Sequence, residues 1–247
     1  MAEVAGIRAD SGARLEEAAV ERFVSQALSG GGFAGKRVMV IVPDGTRTAP
    51  IGLVFKALEA AIGSEVARLD VLIALGTHQP MSEEAICERL DLSPEERRGR
   101  YQSVRFFNHQ WDDPEALEEI GVIGSETIHE LSDGLFSMDV PVEVNRRLLD
   151  YDHLFVIGPV FPHEVVGFSG GGKYFFPGVA GPRILNFFHW LGAVVSNPKI
   201  IGSKWTPVRQ VVDRATAMIP VEKSCFCLVV APDKRLVSLD YGDPVEA

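Results

Sequence analysis

Four short polar segments of the 247-residue sequence each follow an apolar stretch and carry side chains that can bind or react. The polar segments are residues 44–47, 76–78, 108–109 and 161–173. The apolar stretches that precede them are, in the same order, 37–42, 66–75, 104–107 and 154–160. Together they supply imidazoles, hydroxyls, an arginine and a lysine. If the apolar stretches are parallel strands, the segments meet at the carboxyl edge of one sheet, where α/β proteins bind ligands.

The first segment reads Asp44-Gly-Thr46-Arg47 and allows two interpretations. An Asp-Gly pair favours a turn, and the segment need be nothing more. Alternatively, Thr46 offers a hydroxyl and backbone donors at the start of the following helix, while Arg47 offers a planar fork for a carboxylate or phosphate. The second interpretation predicts an anion site.

A glycine-rich segment, Gly-Phe-Ser-Gly-Gly-Gly-Lys at 167–173, matches the phosphate-binding loop of nucleotide triphosphatases. The next residue is Tyr174 rather than the Ser or Thr that binds Mg²⁺, and Pro177 prevents a long helix there. We therefore expect an exposed glycine loop whose bare backbone approaches a phosphate or a ring. Its Lys173 serves as a point charge or as a covalent attachment site.

The histidines are the candidate acid–base groups and metal ligands. His78 and His163 follow two different strands, and that repetition favours acid–base chemistry or metal binding over a structural role. His109 lies in a polar run and is also consistent with a helix cap. His189 lies among apolar residues of a predicted helix over 183–190, which fits a core histidine or a ligand for a metal such as nickel. The other two are predicted to be surface or packing residues: His129 and His153.

Composition excludes several classes of partner and location. The formal net charge of −10 argues against nucleic acid or an anionic membrane as the main partner. Three cysteines cannot form a disulfide framework, and we expect Cys225 and Cys227 to be buried on one face of a strand. The sequence shows neither a signal peptide nor a membrane span. We expect a cytoplasmic protein that acts on a small molecule, and homo-oligomer formation is left open.

Strand–helix alternation predicts an α/β fold with an open, mainly parallel, Rossmann-like sheet and helices on both faces. Helices are predicted over 14–28, from about residue 51, from Ser82 and from Ser93, where Glu96 completes a capping box. A last strand is predicted over 224–230. We expect one domain over 1–247, with about 221–247 leading into a second domain that the sequence does not contain.

The motifs at these strand ends resemble the lactate racemase family, whose members use a nickel-pincer nucleotide. The resemblance covers roughly residues 10–247, and its most specific block runs from Pro162-His163 through the glycine-rich segment to Lys173 and Pro177. His163 precedes Lys173 by ten positions, and Lys173 precedes His189 by sixteen. The resemblance implies racemisation or epimerisation of a lactate-like 2-hydroxy acid by hydride transfer.

The resemblance also implies a role for each matched residue. Lys173 would hold the nickel-pincer nucleotide covalently, and His189 would bind the nickel. His78 and His163 would be the two acid–base catalysts, and Arg47 would bind the substrate carboxylate. The other implied cofactor-binding residues are Asp44, Thr46, Gly76, Ser169, Gly170, Gly171 and Pro177. Family members have a second domain that completes the substrate cleft, and they depend on cofactor-synthesis enzymes as partners.

Two alternatives stay open from the sequence. One is a cofactor-binding domain that is inactive without its second domain. The other is a metal-dependent hydrolase that uses His78, His109 and His163 around zinc. Nickel with a covalent adduct on Lys173 favours the racemase or the binding domain, whereas zinc without an adduct favours the hydrolase.

Overall fold

The computed structural model describes residues 4–246, without the side chain of Asn197. The strands are β1 (Ala5–Arg8), β2 (Arg37–Pro43), β3 (Arg68–Ala74), β4 (Arg105–Asn108), β5 (Leu117–Ile123), β6 (Val140–Asn145), β7 (His153–Pro159), β8 (Pro162–His163), β9 (Gly167–Phe168), β10 (Glu222–Val230) and β11 (Leu236–Gly242). The α-helices are α1 (Glu17–Leu28), α2 (Ile51–Ile62), α3 (Glu83–Arg89), α4 (Pro94–Arg98), α5 (Ser125–Leu131), α6 (Pro182–Val195), α7 (Asn197–Ile200) and α8 (Pro207–Met218). Short 3₁₀ helices cover Pro114–Ala116, Arg146–Asp150 and Gly171–Tyr174.

Seven strands form one sheet in the order β1-β11-β10-β7-β2-β3-β4. The five strands from β10 to β4 pair in parallel, and only β11 and β1 at one end are antiparallel. Two further pairs, β5 with β6 and β8 with β9, form small separate sheets. The predicted class, an α/β fold with a mainly parallel open sheet, is therefore confirmed.

Both faces of the central sheet are covered, as the nearly unbroken apolar run of β2 predicts. Met39 and Ile41 point into a core that α6 and α8 complete, whereas Val38 and Val40 point into a second core with α1 and α2. Within residues 4–246, no helix combines the length and the apolar character needed to cross a bilayer.

Most predicted elements lie within about two residues of the observed ones. The serine caps at Ser82 and Ser93 are both present, and Glu96 completes the capping box at α4. The first helix begins at Glu17, three residues later than predicted, and α6 extends beyond the predicted helix to Val195. The elements without a predicted counterpart are β1, β5, β6, β8, β9, β11, α5, α7 and α8.

The strand order reverses between β7 and β2. From β2 the chain builds outward through β3 to β4, whereas from β7 it builds in the other direction through β10. In open α/β sheets, the crevice at such a switch point, outside the carboxyl ends of the strands, is the usual ligand site. The segments after β2 and β7, which contain Arg47 and Lys173, therefore begin beside that crevice.

Candidate functional site

A cavity of about 230 Å³ lies at the carboxyl ends of β2 and β3 and is also bordered by the segment that follows β7 and by α6. It brings together most of the residues selected from the sequence. Among the residues that line it are Asp44, Thr46, Arg47, Gly76, His78, His163, Lys173, Pro177 and His189. The expectation that the polar segments after these strands converge is therefore met, although the role of each residue stays a prediction.

His78 and Asp44 form an ion-pair-like contact between two loops. Nδ1 of His78 lies 2.6 Å from Oδ2 of Asp44. Burial raises the pKa of Asp44, but hydrogen bonds from Thr46 and His78 outweigh burial and leave the pKa below its ordinary value. The carboxylate can only accept, so neutral His78 carries its proton on Nδ1 and has a free lone pair on Nε2. His78 is thereby prepared to act as a base.

Thr46 contributes to this contact rather than to an anion site. Its backbone N–H and its Oγ1 both donate to Oδ1 of Asp44, at 3.1 and 2.5 Å. Helix α2 begins only at Ile51. The expectation that Thr46 presents its donors at the start of the following helix is therefore wrong, because the carboxylate two residues earlier takes both of them.

His163 has the opposite hydrogen-bonding pattern. The backbone N–H of Val165 donates to Nδ1 of His163 at 3.1 Å, so the neutral ring carries its proton on Nε2. Burial, reinforced by the positive charge of Lys173, lowers the pKa of His163 to about 4. His163 is thus neutral near pH 7 and offers a donor. The neighbouring Glu164 carboxylate lies 3.8 Å from Nδ1 and is largely exposed.

Two cations border the cavity in different settings. Burial lowers the pKa of Lys173 to about 8, and the positive charge of Arg47 adds to the effect. A sizeable fraction of the Lys173 amine is therefore unprotonated near neutral pH, which is what a nucleophilic lysine requires. Arg47 lies over the ring of Phe161, with 5.5 Å between its guanidinium carbon and the ring centroid. Its fork is suited to a carboxylate at the cavity.

The glycine-rich segment is buried, which corrects the expectation of an exposed loop. Gly170 and Gly171 have φ values of 93° and 50°, in the region that favours glycine. A Cβ on Gly170 would lie 2.5 Å from Val160, and one on Gly171 would lie 2.0 Å from the carbonyl of Pro244. The glycines therefore permit close packing against protein atoms.

Ser169 and its two glycine neighbours are not brought to the main cavity. The Ser169 hydroxyl donates to the Pro159 carbonyl at 2.9 Å and accepts from the N–H of Phe161 at 3.0 Å. Ser169 and Gly170 border a different cavity, beside Arg209. The prediction that Ser169, Gly170 and Gly171 bind the cofactor thus finds no support at the main cavity, because packing already uses these groups.

His189 is exposed, so its interpretation as a core histidine is wrong. Its Nδ1 lies 2.9 Å from the carbonyl of Leu185, one helical turn earlier on α6, and must donate to that oxygen. Nε2 of His189 is then the nitrogen left with a lone pair. His189 also lines the cavity, so its free Nε2 lone pair could bind a metal there, as could that of His78.

His109 is buried away from this group, which removes it from the zinc site of the hydrolase alternative. Its Nε2 donates to the carbonyl of Ala180 at 3.0 Å, and its Nδ1 accepts from Asn145 at 3.1 Å. Burial lowers its pKa to about 4. Among residues 4–246, no cluster of three or more His, Cys, Asp or Glu side chains could hold a metal. His109 is a packing residue and not a helix cap.

Cys225 and Cys227 are also structural. Both thiols are buried, and their sulfurs lie 3.6 Å apart on one face of β10. The predicted burial is confirmed.

Two solved structures resemble this fold over nearly the whole chain. A protein from Thermotoga maritima superposes with a TM-score of 0.83 at 30% identity, covering 94% of this chain and 55% of that one. The lactate racemase apoprotein from Thermoanaerobacterium thermosaccharolyticum superposes with a TM-score of 0.68 at 19% identity, covering 91% of this chain and 52% of that one. At that identity, the second similarity establishes the fold alone.

Sequence comparison identifies the family. The lactate racemase of Thermoanaerobacterium thermosaccharolyticum is 24% identical over 165 residues, which make up 66% of this chain and 34% of the relative. The chain therefore spans only about a third of that relative's length and about half of each structural relative. The family model described as the lactate racemase N-terminal domain matches residues 7–201. The chain belongs to the lactate racemase N-terminal domain family.

Proposed function

We propose that this chain is the cofactor-binding and catalytic domain of an isomerase that racemises or epimerises a lactate-like 2-hydroxy acid. The observation that carries the proposal is the pair of histidines at one cavity, His78 with a free lone pair and His163 with a free N–H. In this state His78 can accept the hydroxyl proton while the N–H of His163 donates a hydrogen bond to the substrate, and a racemase needs the two to exchange these roles for the other enantiomer.

The chain's own residues account for binding and proton transfer. The Arg47 guanidinium binds the substrate carboxylate and fixes the orientation of the neighbouring carbon. Nε2 of His78 accepts the hydroxyl proton of one enantiomer. When the other enantiomer is the substrate, His163 acts as the base only after its ring proton has moved from Nε2 to Nδ1, which breaks the contact with the Val165 N–H and leaves the Nε2 lone pair free.

The residues at the cavity fit a nickel-pincer nucleotide. Lys173 is a buried amine whose pKa is lowered to about 8, as covalent attachment to a cofactor requires. His189 offers one free imidazole nitrogen, and the described residues provide no three-ligand site, so a metal here needs further ligands from a cofactor. When bound, the nickel-pincer nucleotide supplies the acceptor for the substrate hydride.

We further propose that a second domain completes the substrate contacts, since the structural relatives are about twice as long as this chain. The second candidate function follows from the same fact. A cofactor-binding domain without turnover of its own has the same cavity, the same Lys173 and the same His189.

The test is intact-mass spectrometry of the chain after co-expression with cofactor-synthesis enzymes, combined with metal analysis. The proposal expects a covalent mass increase on Lys173 and about one nickel per chain. Zinc without an adduct would overturn it. Turnover of lactate-like 2-hydroxy acids by the complete two-domain protein then separates a racemase from a binding domain, because a binding domain takes up the cofactor but interconverts no enantiomers.

A further inference from the structure

Arg89 connects the two loops that form the Asp44–His78 contact. It is the last residue of α3, the helix that directly follows the His78 loop. Its side chain reaches back to the loop after β2, where Nε donates to the carbonyl of Pro43 at 3.1 Å and Nη1 donates to the carbonyl of Ala49 at 3.4 Å. One guanidinium therefore bridges the two ends of the segment that carries Asp44.

The segment between those two carbonyls has little structure of its own. Residues 44–50 form neither helix nor strand. The backbone hydrogen bond within the segment, from the Arg47 N–H to the Asp44 carbonyl, is long at 3.4 Å. Strand pairing ends at Pro43, which is opposite Ala74 of β3. Beyond that point, the course of the segment depends on side chains, and Arg89 holds both of its ends.

Arg89 also carries a partly buried positive charge that interacts with the charge of Asp44. Burial lowers the pKa of Arg89, and the negative charge of Asp44 opposes that effect. A guanidinium stays protonated in proteins, so the charge persists. Its Nη2 is fully buried and has no hydrogen-bond partner among residues 4–246. A buried donor without a partner is costly, so its retention needs an explanation.

We propose that Arg89 is a positioning residue that aligns Asp44 with Nδ1 of His78 and so keeps His78 in the Nδ1–H tautomer. Arg89 does not line the cavity. Its importance for catalysis rests on the proposed function, but its control of the His78 tautomer does not.

The geometry explains why arginine occupies this position. The two carbonyls lie at opposite ends of the segment, and the fork of one guanidinium donates to both at once. A lysine carries the same charge as a point on one nitrogen and lacks the planar fork, so it cannot reproduce the two hydrogen bonds made from separate nitrogens. Arg89→Lys therefore separates the requirement for two donors from the requirement for charge.

The experiment measures the His78 tautomer in this chain by NMR of ¹⁵N-histidine-labelled protein, with Arg89→Met and Arg89→Lys as variants. The matched control is Arg97→Met, because Arg97 also donates to a backbone carbonyl, that of Tyr101, but lies away from the cavity. Backbone amide spectra and thermal melts of all variants report whether the fold is kept.

We expect His78 to be mainly Nδ1–H in the native chain and in Arg97→Met. In Arg89→Met it should shift to a majority of the Nε2–H form that free histidine prefers, and Arg89→Lys should give a mixture. Native tautomer populations in a folded Arg89→Met would overturn the proposal. If Arg89→Met does not fold, Arg89→Lys decides, and a native tautomer in that variant has the same consequence.

A second readout links the tautomer to catalysis and keeps the two proposals distinct. In the complete protein, Arg89→Met should lower kcat by about 10–100-fold with a smaller change in KM, the range typical of outer partners that orient a functional histidine. If native protein does not racemise 2-hydroxy acids, the proposed function fails, yet a tautomer change in Arg89→Met still supports the role of Arg89.

Discussion

On the β3 side of the cavity, the His78 side chain is about half exposed, at 52%, and its Nδ1 faces a carboxylate. On the β7 side, the His163 side chain is only 10% exposed, and its Nδ1 faces a backbone N–H. The two neutral imidazoles therefore carry their proton on different nitrogens, Nδ1 in His78 and Nε2 in His163. The difference teaches that the partner of Nδ1 decides which histidine presents a lone pair that can accept a proton and which presents an N–H that can donate a hydrogen bond.

The charges around the two histidines reinforce this difference. Asp44 is the charge next to His78, whereas Lys173 and Arg47 are the positive charges that act on His163. A positive neighbour disfavours a protonated imidazole, so His163 is kept neutral. The anionic and cationic sides also suit a substrate that has both a hydroxyl and a carboxylate.

The partner that binds Nδ1 is distant in the sequence for His78 and close in the sequence for His163. Asp44 and His78 are 34 positions apart and meet only because β2 and β3 are neighbours in the sheet. His163 is held by Val165, two positions later, within the turn between β8 and β9. A change in loop position should therefore disturb His78 more readily than His163.

The largest expected effect is at Lys173, on the His163 side. Lys173→Ala should abolish the covalent mass adduct, because no other residue at the cavity provides an amine in the described part of the chain. The side chain lines a cavity rather than the packed core, so the thermal melting temperature should change little. Lys204→Ala, at an exposed lysine on Trp205, is the control and should keep the adduct. An undiminished adduct in Lys173→Ala would show that attachment occurs elsewhere.

The second-largest effect is expected from replacing His78 or His163, which directly tests the contrast between these two histidines. His78→Ala and His163→Ala should each lower racemisation by about 10²–10⁴-fold in both directions in the complete protein, as expected for loss of an acid–base group. Added imidazole should rescue His78→Ala better, because that side chain is the more exposed of the two. Single-turnover assays with each enantiomer measure both effects. A variant that racemises at the native rate would refute the two-base mechanism.

The carboxylates near the two histidines should differ in importance. In Asp44→Asn, the amide group presents either an N–H or a neutral oxygen to Nδ1 of His78. Because the carboxylate is lost in both cases, kcat should fall by about 10²-fold. Glu164→Gln should change kcat by less than about threefold, because this exposed carboxylate lies 3.8 Å from Nδ1 of His163 and makes only a weak contact. Equal losses in the two variants would mean that His163, too, depends on a carboxylate.

Much of this site could be predicted from local sequence. Apolar runs identified the strands, and residues at their carboxyl ends line the cavity, because parallel strands place those ends at one edge. The capping pattern of Ser93 and Glu96 likewise located the start of α4. These signals operate over a few residues, so a single sequence contains them in full.

Other features depend on packing between distant segments. The glycine at 171 is required by the carbonyl of Pro244, more than seventy residues later in the chain. The burial of His109 depends on Asn145 and Ala180. Neither relationship has a local signal.

His189 is a different case, because a local signal was present. The buried residues of α6 include Ile184, Phe187, Phe188 and Leu191, which share one face of the helix. His189 falls outside that face. The helical period could have indicated an imidazole at the border of the buried face, beside Leu185, whereas the apolar composition around it favoured a buried one.

The smallest expected effect concerns pH and stability, and it again separates the buried histidine from the exposed one. The folded-state pKa of His163 is about 4, below the ordinary value of 6.5, because burial disfavours the charged ring. Between these two values the unfolded chain binds more protons than the folded one, so stability falls as the pH falls from about 6.5 towards 4. His109 and His153, whose pKa values burial also lowers to about 4, contribute in the same direction.

The contribution of His163 to this loss of stability at low pH can be measured with His163→Asn. Between pH 7 and pH 5, a group shifted in this way contributes at most about 2 kcal/mol to the loss of unfolding free energy. Urea unfolding at both pH values should therefore show a smaller loss in His163→Asn than in the native chain, while the part due to His109 and His153 remains. The same loss in both proteins would mean that His163 is not kept neutral by burial, and the contrast between the two sides of the cavity would then rest on hydrogen bonding alone.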